Sequence, residues 1–201
     1  MPCYAFEGRI PVVHPTSYVH PQACLIGDVI VGPGCYIAPF ASLRGDFGRI
    51  VVEGDSSVQE ACVMHGSAGR DCILSRGATC GHGAILHGCM IGENALIGMG
   101  AVVLDDASIG AECLVAAQSL VRGGAVFSPR QLIGGNPAKA LRDLREDEIM
   151  WRNNGDGEYQ RLARRCLTGL TECTPLAEVE PDRRRNDGNA RPVRLGGKGR
   201  D

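Results

Sequence analysis

Three of the chain's 5 histidines, His65, His82 and His87, fall within the short stretch from Met64 to Gly88. Three neutral imidazoles are the donor set of an open, catalytic zinc centre, because they hold the ion and leave a fourth position for water. Iron(II) or cobalt(II) would accept the same nitrogen donors. Spacing alone does not assemble such a site, since a lone histidine in a glycine-rich segment is usually a surface or hydrogen-bonded residue. The chemistry depends on elements that bring the three rings together.

Those elements are set by a repeat. Aliphatic residues recur at every sixth position at Val13, Val19, Leu25, Val31, Ile37 and Leu43, and small residues follow four positions later at Ser17, Ala23, Cys35 and Ala41. After a three-residue slip the frame resumes at Val52, Val58 and Met64, slips by three again, and continues through Ile73, Thr79, Ile85, Ile91, Ile97, Val103, Ile109, Val115 and Val121. Gly83, Cys89, Ala95, Ala101, Ala107, Cys113, Ser119 and Ala125 fill the matching small position. This hexapeptide repeat predicts a mainly β architecture, a left-handed parallel β-helix of about six coils stacked about 4.8 Å apart. A sandwich of alternating strands would instead show period two and irregular turns. Cys35, Cys62, Cys89 and Cys113 occupy the small inward slots, where a reduced thiol acts as a compact hydrophobe.

Composition agrees with that architecture. Hydrophobic residues make up 44% of the chain but aromatics only 4%, and 28 of the 201 residues are glycine, so small aliphatic side chains must fill the core between many turns. A formal net charge of −2 favours neither nucleic acid nor a membrane as partner. The N-terminus has no basic region followed by a long apolar run, and no window reaches the length of a membrane span. A cytoplasmic protein is therefore expected. The 10 cysteines include no C-x-x-C pair, and a chain of this length needs no disulfide framework.

The repeat domain is expected over residues 1–130. Asn136 as N-cap with Pro137 at the first helical position predicts a helix start. Residues 138–151 and 157–170 then read as C-terminal α-helices separated by Asn153-Asn154-Gly155. Within a segment 131–178 they offer Leu141, Leu144, Ile149, Leu162 and Leu170 for packing on the prism. Residues 179–201, rich in arginine and poor in apolar side chains, read as a disordered basic tail.

The repeat also places the histidines. Leu43, Met64 and Ile85 fall on one face in successive coils, so Arg44 and His65 stack, and His87 lies one rung higher and one residue along. His82 follows Thr79 on the preceding face, which also carries Val58-Gln59-Glu60, and is displaced around a corner. One chain is not expected to close the triad. Three prisms about a threefold axis would bring His82 of one chain toward His65 and His87 of the next, giving a homotrimer with three sites. His14 and His20 both precede prolines in the first coil, have no partner pattern and read as surface residues.

These residues resemble the γ-class carbonic anhydrases and their hexapeptide-repeat relatives. The matching motifs are Arg44-Gly45-Asp46, Gln59 six residues before His65, Gly81-His82 followed by His87, and Asn136-Pro137-Ala138-Lys139. Within that superfamily the chain is similar to the PaaY family of phenylacetic acid degradation and the CaiE family of carnitine operons. That similarity runs through Met1-Pro2-Cys3-Tyr4, residues 43–50, Cys62-Val63-Met64-His65-Gly66, residues 84–89, Glu158-Tyr159-Gln160 and residues 175–181. The resemblance implies His65, His82 and His87 as zinc ligands and Gln59 as the partner of the metal's water. It implies Arg44 and Asp46 as an ion pair ordering the subunit interface, and Tyr159 near the mouth of the site. Taken alone, Arg44 and Asp46 are a structural pair, Gln59 a surface residue and Tyr159 a packing ring.

The chain departs from the carbonic anhydrases at Glu60, where they commonly have Asp. It also lacks their acidic proton-shuttle loops: Phe47 follows Asp46, and Gly66-Ser67-Ala68-Gly69 follows His65. Three functions stand as expectations. The first is a zinc-dependent thioesterase acting on acyl-CoA intermediates of phenylacetate breakdown, with weak carbonic anhydrase activity. The second is an acyltransferase in which a histidine serves as general base. The third is a noncatalytic accessory protein.

Overall fold

A strand alternates side chains between its two sides, so a short strand buries its inner residue only by stacking on the strand one coil away. Here that stacking builds a parallel β-helix with three faces, seen in a computed structural model that describes residues 2–151 and 156–184. On the first face Leu25, Leu43, Met64, Leu86, Val103 and Val121 pair in register from coil to coil. Val31, Val52, Leu74, Ile91 and Ile109 form the second column. Ile37, Val58, Cys80, Ile97, Val115 and Ile133 form the third. All are buried, and small residues such as Ala41, Ala84 and Ala95 fill the corners between them in one core. Two long strands, Cys24–Val31 and Ser42–Val52, run round the corner between the first two faces and join them into a 12-stranded sheet; the third face is an 8-stranded sheet.

Over one stretch the frame differs from the expectation. Leu74, Cys80 and Leu86 point inward rather than Ile73, Thr79 and Ile85. Ala84 fills the small slot, while Gly83 turns the corner at φ +69. The frame is restored between Leu86 and Ile91, where the coil is one residue short. Ile73, Thr79 and Ile85 are β-branched and suit the outward side of a strand as well as the inward side, so both frames satisfied the pattern. Leu74→Ala should therefore cost about 2–5 kcal/mol in a denaturant unfolding experiment, and Ile73→Ala clearly less. Equal costs would return Ile73 to the core.

The corrected frame also adds Cys72 and Cys80 to the buried thiols Cys35, Cys62, Cys89 and Cys113. Burial pushes the Cys35 thiol up to about 11. Alkylation of the native protein, read by mass spectrometry, should modify the exposed Cys3 and Cys173 first and spare all six buried thiols. Rapid labelling of Cys80 would contradict its place in the third column.

The segment 138–151 is not a helix. The chain reverses after Gly135, at φ +108, and Ala138–Asp143 returns antiparallel to Gln131–Gly135. Gln131–Gly135 is the last parallel rung of the third face, and covering its open backbone edge outweighs the helix-start signal at Asn136-Pro137. A short 3-10 turn, Glu146–Glu148, follows; Leu144 and Ile149 are buried against Leu114, whereas Leu141 stays exposed. The other expected helix forms at Glu158–Gly169. It lays Tyr159, Leu162, Ala163 and Cys166, at helical spacing, on Tyr18, Tyr36 and Ala38 of the third face. Leu170 remains exposed. The expected breaker at Asn153-Asn154-Gly155 and most of the expected tail, residues 185–201, lie outside the described residues. Among the described residues no helix is long and apolar enough to cross a membrane.

Candidate metal centre

The alternation that turns Met64 and Leu86 inward turns the next residue outward. His65 and His87 therefore sit directly opposite each other on adjacent rungs of the first face, with Arg44 one rung below. The expected one-residue offset between the two histidines disappears with the corrected frame. His65 Nδ1 lies 3.0 Å from His87 Nε2. His82 stands elsewhere, in the turn after Cys80 that leads from the third face into the first. A Cβ on its neighbour Gly81 would lie 2.7 Å from the Ile97 carbonyl oxygen, so only glycine lets the coils approach here. The Gly83 N–H donates to the Glu60 carbonyl, stacking this turn on the one below.

The first face thus carries His82 at the corner where the chain enters it and His65 and His87 at the corner where the chain leaves. Among the described residues of one chain, no three of His, Cys, Asp and Glu gather closely enough to hold a metal ion.

Each of the three rings is nevertheless arranged as a metal-ligating imidazole usually is, with one nitrogen turned to a carboxylate. His65 Nε2 lies 2.9 Å from Asp46 Oδ1, His87 Nδ1 lies 2.9 Å from Asp105 Oδ2, and His82 Nδ1 lies 2.6 Å from Glu60 Oε2. Burial pushes the Asp46 carboxyl up, but hydrogen bonds from Arg44 and His65 together overcome this and hold it below the usual carboxylate range. The Ser67 hydroxyl holds Asp105 low, against burial and with help from His87. An ionised carboxylate only accepts, so His65 Nε2 and His87 Nδ1 carry the ring hydrogens. The remaining nitrogens, His65 Nδ1 and His87 Nε2, then face each other with lone pairs that repel unless a proton or a cation lies between them. Nitrogens bound at about 2.0–2.1 Å in a tetrahedral zinc site lie about 3.3 Å apart, close to the separation found. The donor set fits a metal ion.

Arg44 pairs with Asp46 at 2.6 Å within the one chain, so Asp46 bridges the guanidinium and the His65 ring. Gln59 is buried one coil below Gly81, its N–H donating to the Cys80 carbonyl. The docked helix brings Tyr159 to it. Burial, with Glu158 and Glu60 nearby, pushes the Tyr159 phenol up to about 12 although Gln59 beside it opposes the shift, so it stays neutral at physiological pH. Its ring also packs 5.6 Å from that of Tyr36. Gln59, Glu60, His82 and Tyr159 thus share one corner, and Arg44, Asp46, His65 and His87 the other. His14 and His20 instead cap their own turns, each Nδ1 accepting from a backbone N–H two residues on.

Sequence reasoning passed over Asp105 and Ser67 and gave Glu60 no role. Asp105 lies two residues past inward Val103, at the leaving corner one rung above His87. With the frame on Leu86, that placement was available from spacing alone.

Comparisons with known proteins follow the same lines. Residues 88–123 match the family model described as bacterial transferase hexapeptide (six repeats). A solved hexapeptide transferase family protein from Anaplasma phagocytophilum superposes with a TM-score of 0.77 at 34% identity, covering 81% of this chain and 96% of that one. The carnitine operon protein CaiE of Salmonella agona is 53% identical over 188 residues, covering 94% of this chain and 95% of the relative. CaiE of Escherichia coli K12 is 52% identical over 188 residues, covering 94% and 96%. With half of the residues shared along nearly the whole of both chains, and a repeat that the coils themselves display, this protein belongs to the hexapeptide-repeat family of the carnitine operon protein CaiE.

Proposed function

We propose that three copies of this chain assemble about a threefold axis and that each subunit boundary holds one zinc ion, on His65 and His87 of one copy and His82 of the next. A face turned toward a threefold axis meets one neighbour along each of its two edges. The first face carries His82 at one edge and the His65–His87 pair at the other. Its outward column Val63, Ile85, Val102 and Leu120 is apolar, with Val63 37% and Ile85 39% exposed, and suits burial between copies.

The observation that carries this reading is the pairing of every one of the three histidines with a carboxylate, which frees one nitrogen on each for a metal. When bound, zinc supplies an activated water at neutral pH, able to attack a thioester or CO2. Iron(II) or cobalt(II) would suit the same donors. Asp46 holds the His65 ring, Glu60 the His82 ring, and the Gln59 amide, buried beside Tyr159, orients the nucleophile without titrating. Phe47, 67% exposed with its ring 5.8 Å from that of His65, presents an apolar surface beside the site. That surface suits an acyl group better than a proton relay. The reaction proposed is therefore hydrolysis of acyl-CoA thioesters, in the manner of the PaaY family on intermediates of aromatic-acid breakdown, with CO2 hydration secondary.

The test is metal content measured beside acyl-CoA hydrolysis before and after chelation. Activity should leave with the zinc and return with it; hydrolysis that persists in metal-free protein overturns the reading.

The names of the relatives favour a second reading more than the first. The matched repeat model is named for transferases and the relatives for a carnitine operon. As an acyltransferase, the protein would use a carboxylate-held histidine as general base for transfer from acyl-CoA, and chelation would leave activity intact. As a CaiE-like accessory protein it would bind metal and turn nothing over. The same assay separates all three.

A further inference from the structure

His87 is gripped from the side away from its free nitrogen by two residues that no role yet explains. Its Nδ1 lies 2.9 Å from Asp105 Oδ2, and the other oxygen of that carboxylate accepts the Ser67 hydroxyl. The three residues come from consecutive rungs of the first face. Ser67 follows strand Val63–His65, His87 ends strand Ile85–His87, and Asp105 follows strand Val102–Val103. Ser67 therefore reaches past the His87 rung to take hold of a residue 38 positions along the chain. Gly88, at φ +53, leaves room for that contact, since a Cβ there would lie 2.5 Å from Asp105 Oδ1.

His87 needs this support more than His65 does. The His65 side chain is only 10% exposed and lies against Phe47, so packing restrains it; the His87 side chain is 32% exposed. A carboxylate with one oxygen pinned cannot swing away from the ring, and a ring whose Nδ1–H is pinned cannot flip. We infer that Asp105 and Ser67 form a positioning pair that fixes the orientation and tautomer of His87, and through it the strength with which the centre holds zinc. The inference rests on the metal-centre reading above. Neither residue touches the ion or a substrate.

The experiment is competition for zinc against a chromophoric chelator, using the full chain in its native assembly. Asp105→Ala should weaken zinc binding about 10- to 100-fold, the usual loss for a group that orients a ligand. Ser67→Ala should weaken it about 2- to 10-fold, the worth of one net hydrogen bond. Asp105→Asn, whose amide oxygen still accepts from Nδ1–H, should fall between the wild type and Asp105→Ala. Nitrogen-15 NMR on metal-free protein gives a second readout: His87 should carry its hydrogen on Nδ1 in the wild type and lose that preference in Asp105→Ala. Unchanged zinc affinity and an unchanged tautomer in Asp105→Ala overturn the inference while leaving the metal centre standing. A wild type that binds no zinc removes the metal-centre reading, and the tautomer measurement then decides alone whether Asp105 orients His87. Should Asp105→Ala fail to fold, Ser67→Ala decides by the same two readouts.

Discussion

His82→Ala protein should bind no zinc and hydrolyse no acyl-CoA above background, yet mixing it with equally inactive His65→Ala protein should restore about one quarter of the wild-type sites. The fraction follows from the geometry. An intact site needs His82 from one copy and His65 with His87 from its neighbour, so the first copy must be the His65→Ala chain and the second the His82→Ala chain. Random assembly from equal amounts meets each condition half the time. Denaturing the two proteins together, refolding them and measuring zinc retention reads the result. No recovery in correctly assembled mixed trimers would place all three ligands of any metal in one chain or remove the metal altogether.

The separation of His82 from His65 and His87 was legible in the repeat, because a six-residue frame fixes which corner each turn occupies. Its precision was limited by side-chain chemistry. Ile73, Thr79 and Ile85 read as inward residues because β-branched side chains are at home on either side of a strand, and the short coil after Leu86 brought the frame back into step by Ile91. That single offset hid the direct opposition of His65 and His87 and, one rung above, the Asp105 carboxylate. The C-terminal part failed for a different reason. Asn136-Pro137 is a good local helix start, but the open edge of Gln131–Gly135 is a demand made by the fold, and Ala138–Asp143 meets it. Glu158–Gly169 was legible from its helix-forming sequence, although of the two leucines expected to pack only Leu162 does, beside Tyr159, Ala163 and Cys166. What that helix does for Gln59 was not, since residues a hundred positions apart meet only through docking.

Gln59→Ala should keep zinc and the assembly but lower thioester hydrolysis about 10- to 100-fold. The amide is buried beside Tyr159, so neighbouring side chains limit its movement before substrate arrives. An amide does not titrate, so the rate should climb with pH to the same plateau position in Gln59→Ala as in the wild type, at a lower level throughout. Tyr159→Phe removes the hydroxyl near Gln59 while keeping the ring against Tyr36, and should produce a smaller loss of the same kind. Full activity in Gln59→Ala, together with metal-free activity in His65→Ala, would sink hydrolysis by a metal-activated water and leave the general-base transfer reading in its place.

A metal centre of three histidines can be completed only between copies of the chain, because no single chain gathers three such groups among its described residues. The most direct measurement is native mass spectrometry of the zinc-loaded protein, with gas-phase dissociation of the assembly. The expected species is three chains carrying three zinc ions, from which released single chains emerge without metal. A monomer in solution that carries one tightly bound zinc ion would contradict the claim.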